Sequence, residues 1–293
     1  MTEPVEVFAG DTLMLTVKVV EDWFLLHPTY DVRHLVGYMA VYWSDPYDIE
    51  ILAIIILSNH IHIIYRHRTG RGPLFCQMML HWISRLMNER LGRTGQKFFA
   101  PGPCRPMRLR TPADVENELD YVVTNATQHG LTALAYDWPG LLFGPEQVGE
   151  SLTFKRPPEL KYSKAFKKAE LAYTVPAPFH MRDLPAHKVH EKFRLRREAI
   201  EAHEFKERDG EFTGVDKAMA VPKFSSPANP KRRPFKPFFT SCDPQALAAA
   251  KRSRAIFKKS HAARLERFRK GDLTSDWPPG TYKMRRTYGL PPP

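Results

Sequence analysis

The apolar positions of this chain change period several times, and each change marks an element. Asp11 to Val20 is rich in leucine, threonine and valine and predicts a strand. From Tyr30 to Trp43 the apolar residues Val32, Leu35, Val36, Met39, Ala40 and Trp43 recur at helical spacing. Ile49 to Leu57 is a short β-branched run of the kind found in a strand covered on both faces. Ser58 and Asn59 are turn formers, and His60 to Tyr65 resumes as a strand, so the two runs predict a hairpin. Pro73 to Leu91 returns to helical spacing through Leu74, Met78, Trp82, Leu86 and Met87. A basic loop punctuated by glycine and proline follows, from Gly92 to Pro106. Thr111 as N-cap, Pro112 at the first helical position and Asp114 at the box position open another helix, which Gly130 closes. This order predicts an α+β fold: a ferredoxin-like antiparallel sheet of split β-α-β type with helices on one face.

Beyond residue 150 the pattern changes. Prolines are scattered between basic stretches. Lys188 to Arg208 and Pro244 to Lys270 read as long charged helices, and Ala220 to Phe239 as a linker or extended arm. The expected division is a catalytic-type domain over 1–150 and a basic, largely helical or extended nucleic-acid-binding region over 151–293.

Charge sharpens that division. The chain of 293 residues carries 44 Lys and Arg against 32 Asp and Glu, a net +12. Residues 1–150 hold 12 basic and 17 acidic residues, a net −5, and residues 151–293 hold 32 and 15, a net +17. Such asymmetry points to a polyanionic partner, nucleic acid before an anionic membrane. The three cysteines, Cys76, Cys104 and Cys242, are far apart and argue against a disulfide scaffold or a cysteine zinc site. The acidic N-terminus lacks the basic region of a secretory signal. The longest apolar run is far short of the ~20 residues of a membrane span. The expectation is a soluble, cytoplasmic protein with no membrane partner.

Candidate chemistry begins with His60 and His62. Two apart on a strand, they share a face and can chelate a divalent metal if a third ligand arrives from elsewhere. Two histidines without a ligand role fit the same spacing. Tyr121 and Asn125, at i and i+4 on the helix after Thr111, share a face of their own. An amide oxygen suits magnesium or manganese, and a phenol beside a metal can become a nucleophile. Tyr65 and Tyr136 are other possible nucleophiles without a ligand-type partner at helical spacing. Arg90, Arg93, Lys97, Arg105, Arg108 and Arg110 lie between the two motifs as phosphate contacts or as a solvated rim. Phe98 and Phe99 can stack on unpaired bases or belong to the core. Arg232 and Arg233 belong to the basic arm, a second candidate DNA contact.

Four segments together resemble a known family. Leu57-Ser58-Asn59-His60-Ile61-His62-Ile63-Ile64 resembles the His-hydrophobic-His segment of the single-tyrosine (HUH) transposases. Tyr121 to Leu131 is similar to their Tyr-x-x-x-Asn-Pro-x-x-x-Gly-Leu helix. Asn88 to Phe99 resembles their basic glycine loop, and Asp137-Trp138-Pro139-Gly140 their Trp-Pro segment. The resemblance covers roughly residues 10–145 and is nearest the REP-associated branch. Leu57 stands for the usual methionine. Ala126 stands for the usual proline and should extend the helix.

The resemblance implies a magnesium or manganese ion on His60, His62 and Asn125, with Tyr121 as the nucleophile that forms a 5′-phosphotyrosine link. It implies single-stranded or hairpin DNA as partner, action as a monomer or homodimer, and a bacterial, nucleoid-associated setting. Three other readings compete with it. A histidine-triad hydrolase needs a third alternating histidine, and Ser58 stands there. A relaxase or replication initiator would bring a different motif order, and no phosphate-binding Gly-x-x-x-x-Gly-Lys run accompanies the pair. A domesticated DNA-binding protein would keep the fold and the basic region without transposition.

Overall fold

The computed structural model describes residues 4–101, 105–227, 238–273 and 277–287. Cys104, Arg232 and Arg233 lie outside the described residues. The sheet starts with β1 (Thr12–Lys18), followed by a short turn and α1 (Tyr30–Ser44), whose N-cap Thr29 accepts from Val32 N. β2 (Ile49–Leu57) and β3 (His60–His67) form the hairpin about Ser58 and Asn59. α2 (Gly72–Arg90) leads to β4 (Met107–Leu109) and then α3 (Pro112–Val123). The expected capping box is formed: Thr111 Oγ1 accepts from Asp114 N, and Asp114 Oδ2 accepts from Thr111 N.

The central strands run β2-β3-β1-β4, all antiparallel neighbours. α1 joins two strands with β3 between them, and α2 joins two strands with β1 between them. That is the split β-α-β order expected from the sequence. Two short strands widen the sheet to six: β5 (Leu142–Phe143) beside β2, and a later two-residue strand beside β4.

Helices cover both faces rather than one. Tyr65 Oη lies 3.2 Å from Cys76 Sγ, which places α2 on the Tyr65 side of β3, and α1 packs against α2. The Tyr121 ring meets His62, on the other side of the same strand, so α3 covers the second face. α3 has its own buried stripe, Val115, Leu119 and Val122, which needs a sheet surface to itself. This explains why β2 is apolar at nearly every position.

The helix after Thr111 does not run on to Gly130. It breaks at Thr124, whose φ of −92° and ψ of 9° lie outside helix geometry, and α4 (Asn125–Gln128) follows. The proline common in the resembling motif is absent, yet the interruption is present. Thr124 Oγ1 donates to Asp120 O and accepts from Gln128 Nε2, alongside the backbone bonds from Thr124 N to Asp120 O and from Gln128 N to Thr124 O.

The second half packs on the first. β6 (Ser151–Lys155) and β7 (Glu170–Thr174) form a hairpin against α1. Gly37 makes this possible: a Cβ there would sit 2.2 Å from the buried Phe154 ring. α5 (Ala186–Glu207) lies along α3 and α4, and α6 (Val215–Ala220) follows. β8 (Phe239–Thr240) pairs in parallel with β4 and leads into α7 (Pro244–Arg269). Cys242 N donates to Asp114 Oδ1 at 2.6 Å, which ties this segment to the start of α3. Among the described residues no helix is long and apolar enough to cross a membrane.

Candidate active site

His60 and His62 project from β3 towards α3, with ring centroids 4.7 Å apart and planes at 87°. Each ring is held by its Nδ1. Thr16 Oγ1, across the ladder on β1, lies 2.9 Å from His62 Nδ1. Asn59 Oδ1 lies 2.7 Å from His60 Nδ1, and Asn59 Nδ2 donates to Asp22 O at 3.4 Å, which orients the amide. An imidazole that donates from Nδ1 presents its Nε2 lone pair, the arrangement that supports metal ligation.

Tyr121 comes from the last full turn of α3. Its half-buried ring meets His62 edge to face at 5.3 Å. His129, just past α4, reaches His60 with ring centroids 6.0 Å apart. Asn125 lies between these two along the chain, wholly buried, and neither Oδ1 nor Nδ2 has a hydrogen-bond partner. A buried amide of that kind calls for a ligand, because leaving it unpaired costs roughly 1–3 kcal/mol. The donor set therefore fits a hard divalent ion: two fixed imidazoles and an amide oxygen. Among the described residues no three His, Cys, Asp or Glu side chains form a metal-binding group.

One neighbour escaped the sequence reading. His129 continues the series of Tyr121 and Asn125 at one further step of four, a signal present in the sequence. The alternative nucleophiles are placed elsewhere. Tyr65 is fully buried on the opposite face of the sheet. Tyr136 is tied to Gln147 and Glu146, and burial raises its phenol well above the ordinary range. The Trp-Pro-Gly segment is an anchor: Trp138 Nε1 donates to Ile56 O at 2.7 Å, and a Cβ on Gly140 would meet that carbonyl at 2.5 Å.

The basic residues between the motifs do not form one patch. Arg90 is paired with Glu159, and Arg108 with Asp11 at 2.9 Å. Arg93 is buried, bonded to Gln96 Oε1 and Lys97 O. Arg105 is half-buried over the Phe238 ring. Lys97 and Arg110 are exposed. Phe98 belongs to the core, with Phe99 edge-on beside it. On α7, by contrast, Lys251, Arg252 and Lys259 face solvent.

No protein-family model matches the chain, and no curated protein matches its sequence. One solved structure, described as the structure of the REP associates tyrosine transposase bound to a REP hairpin, aligns with 46% of this chain and 77% of its own. The TM-score is 0.38 and the identity 18%. A likeness of that size carries no argument, and the functional reading rests on the side chains.

Proposed function

We propose that this chain is a metal-dependent enzyme that nicks and rejoins single-stranded DNA through a 5′-phosphotyrosine link, a strand-transfer nuclease of transposase type. The observation that carries the proposal is the meeting of Tyr121 with a histidine pair whose Nδ1 atoms are already engaged, beside the unpartnered buried amide of Asn125.

His60, His62 and the Asn125 Oδ1 are the residues that would hold a magnesium or manganese ion. That ion would supply polarisation of the scissile phosphate and stabilisation of the charge that builds in the transition state. Tyr121 loses its phenolic proton to solvent and its oxygen attacks phosphorus. The bond from phosphorus to the 3′-oxygen breaks, and that oxygen takes up a proton to leave a 3′-hydroxyl. Attack by another strand's 3′-hydroxyl reverses the step, joins the strands and restores Tyr121. The covalent link keeps the phosphodiester energy, so no hydrolysis or external energy source is needed. Packing of the Tyr121 ring against His62 limits its rotamers, which favours a fixed line of attack.

A second reading is a DNA-binding protein without strand-transfer activity. The solvent-facing lysines and arginine of α7 favour it, since they would bind a phosphate backbone whether or not chemistry follows. A covalent-trapping assay separates the two. The full chain is incubated with labelled single-stranded hairpin DNA from the flanks of its gene, with manganese or with EDTA, beside Tyr121→Phe. The expected result is a denaturation-resistant adduct that requires metal and is absent in the variant. Binding with no adduct under any metal would overturn the nicking reading and favour the second.

A further inference from the structure

Beside the histidine pair three chain segments converge on an aromatic cluster. The first is the turn after β1, which ends in Trp23. The second is the loop from Arg93 to Phe98, joined to that turn by Val20 N donating to Phe98 O. The third is the turn Pro222–Ser225, which carries Phe224 and is joined to the first by Phe24 N donating to Ser225 O. Trp23 and Phe224 meet edge to face at 5.7 Å. The Arg93 guanidinium carbon lies 5.0 Å from the Trp23 ring centre and 5.8 Å from that of Phe224.

Two features make this more than packing. Phe224 is 54% exposed, an aromatic face left open to solvent. Arg93 is 8% exposed, its Nη1 is buried without a hydrogen-bond partner, and no carboxylate among the described residues pairs with it. A buried cation without a counter-charge is costly, and the two rings offset only part of that cost. An anion arriving at the cluster would offset more. Lys97 and Lys223, both exposed on the contributing segments, add to the positive field. An open aromatic face with cations beside it is the chemistry of a single-stranded nucleotide, base stacked and phosphate drawn in.

We infer that Trp23, Arg93 and Phe224 form a stacking subsite for an unpaired base of the DNA strand, next to the scissile phosphate. The connection to the site is short: Asp22, which precedes Trp23, holds Asn59 through its carbonyl, and Asn59 holds His60. A base seated on the platform would thus set the register of the strand across the histidines. This inference rests on the nicking reading for the position of the scissile phosphate.

The test is an abasic scan. Single-stranded DNA oligonucleotides, each lacking one base at successive positions, are bound to the full chain and to Phe224→Ala, with Trp23→Phe as a conservative variant. The wild-type chain should lose about tenfold in affinity at one position, the size of one base-aromatic stack. Phe224→Ala should lose about as much on intact DNA and become indifferent to that same position, while Trp23→Phe keeps the dependence. Phe224 is exposed, so its variant should fold. If the wild-type chain forms the Tyr121 adduct yet no abasic position couples to Phe224→Ala, the inference is overturned and the nicking reading stands. If the coupling appears without any adduct, the nicking reading falls and the subsite stands. Tighter binding of the same sequence as RNA would overturn the assignment to DNA.

Discussion

α5 and α7 are both long and both rich in lysine and arginine, but they dispose of that charge in opposite ways. α5 lies on α3, and its cations meet acidic residues on α3, at Glu146 and on α5 itself. Lys192 reaches Glu116 at 2.8 Å, Arg196 reaches Asp120 at 2.5 Å, and Arg197 lies between Glu146 and Glu201. α7 turns Ala250, Arg254, Phe257 and Arg264 inward and leaves Lys251, Arg252 and Lys259 in solvent. Part of the contrast between a −5 half and a +17 half is therefore internal complementarity. Net charge says that a polyanion is attracted; only the disposition of the side chains says which helix is available to meet it.

The largest effect should come from breaking the α5 dock at its buried end. Glu201 is 5% exposed; it accepts from the backbone of Ala135 at 2.8 Å and from Arg197 at 2.7 Å. Glu201→Ala leaves a buried N–H and a half-buried guanidinium short of a partner, at a cost of about 3–5 kcal/mol. Denaturant unfolding should show that loss. The affinity of the folded chain for DNA should not change, and a fall in it would mean that α5 also meets the nucleic acid.

Acid sharpens the comparison differently, because both helices keep their lysine and arginine charge while the sheet core responds. His67 is fully buried, and burial outweighs the pull of Asp11, with Arg108 and Arg66 adding to the fall; its imidazole drops from 6.5 to about 4. Below pH 6.5 the unfolded chain takes up a proton that the folded chain refuses. Stability is thus fully present above pH 6.5, is lost as pH falls towards 4, and then levels, for a total of about 3 kcal/mol. His67→Leu should remove that part of the slope in urea melts taken across the range. An unchanged slope would place the acid response elsewhere, first at Glu116 on α3, whose carboxyl is lowered against its burial by Lys192, His180 and Arg196.

Much of this fold was legible in the sequence because it depends on local periodicity. The apolar run of β2, the stripe of α1 and the capping box at Thr111 each state their element within a few residues. Strand parity likewise put His60 and His62 on one face. What was not legible depends on partners distant in the chain. Arg90 and Arg108 read as phosphate contacts, yet Glu159 and Asp11, 69 and 97 residues away, hold them. The second helical face of the sheet was missed because α3 and its stripe can be seen in the sequence but the surface it covers cannot. The break at Thr124 has no proline or glycine to announce it, and helix propensity does not report it. His129 was within reach, one step of four beyond Asn125, but an exposed histidine after a helix gives no sign that it meets His60.

On α7, replacing Lys251, Arg252 and Lys259 together by alanine should weaken DNA binding about tenfold at low salt. It should reduce the slope of log affinity against log salt by up to about 2 for a single strand, at roughly 0.7 per lost phosphate contact. Folding stability should hardly move, since none of the three is buried. An unchanged slope would mean that the solvent-facing cations of α7 do not meet the phosphates.

The smallest effect belongs to the matching change on α5. Arg194 is exposed there too, so exposure alone would make it equivalent to Arg252. Its guanidinium, however, forks onto both oxygens of Glu198 at 3.0 Å, and Glu191 lies one turn back on the same helix. The carboxylates leave little net positive field along that face. Arg194→Ala should cost about 0.3–0.5 kcal/mol as an exposed i, i+4 pair and leave the salt slope of DNA binding unchanged. Titrating both variants over the same salt series makes the comparison direct. A slope that falls for Arg194→Ala by as much as for a single α7 lysine would mean that DNA outcompetes the internal pair, and then the whole surplus of the second half counts towards the partner.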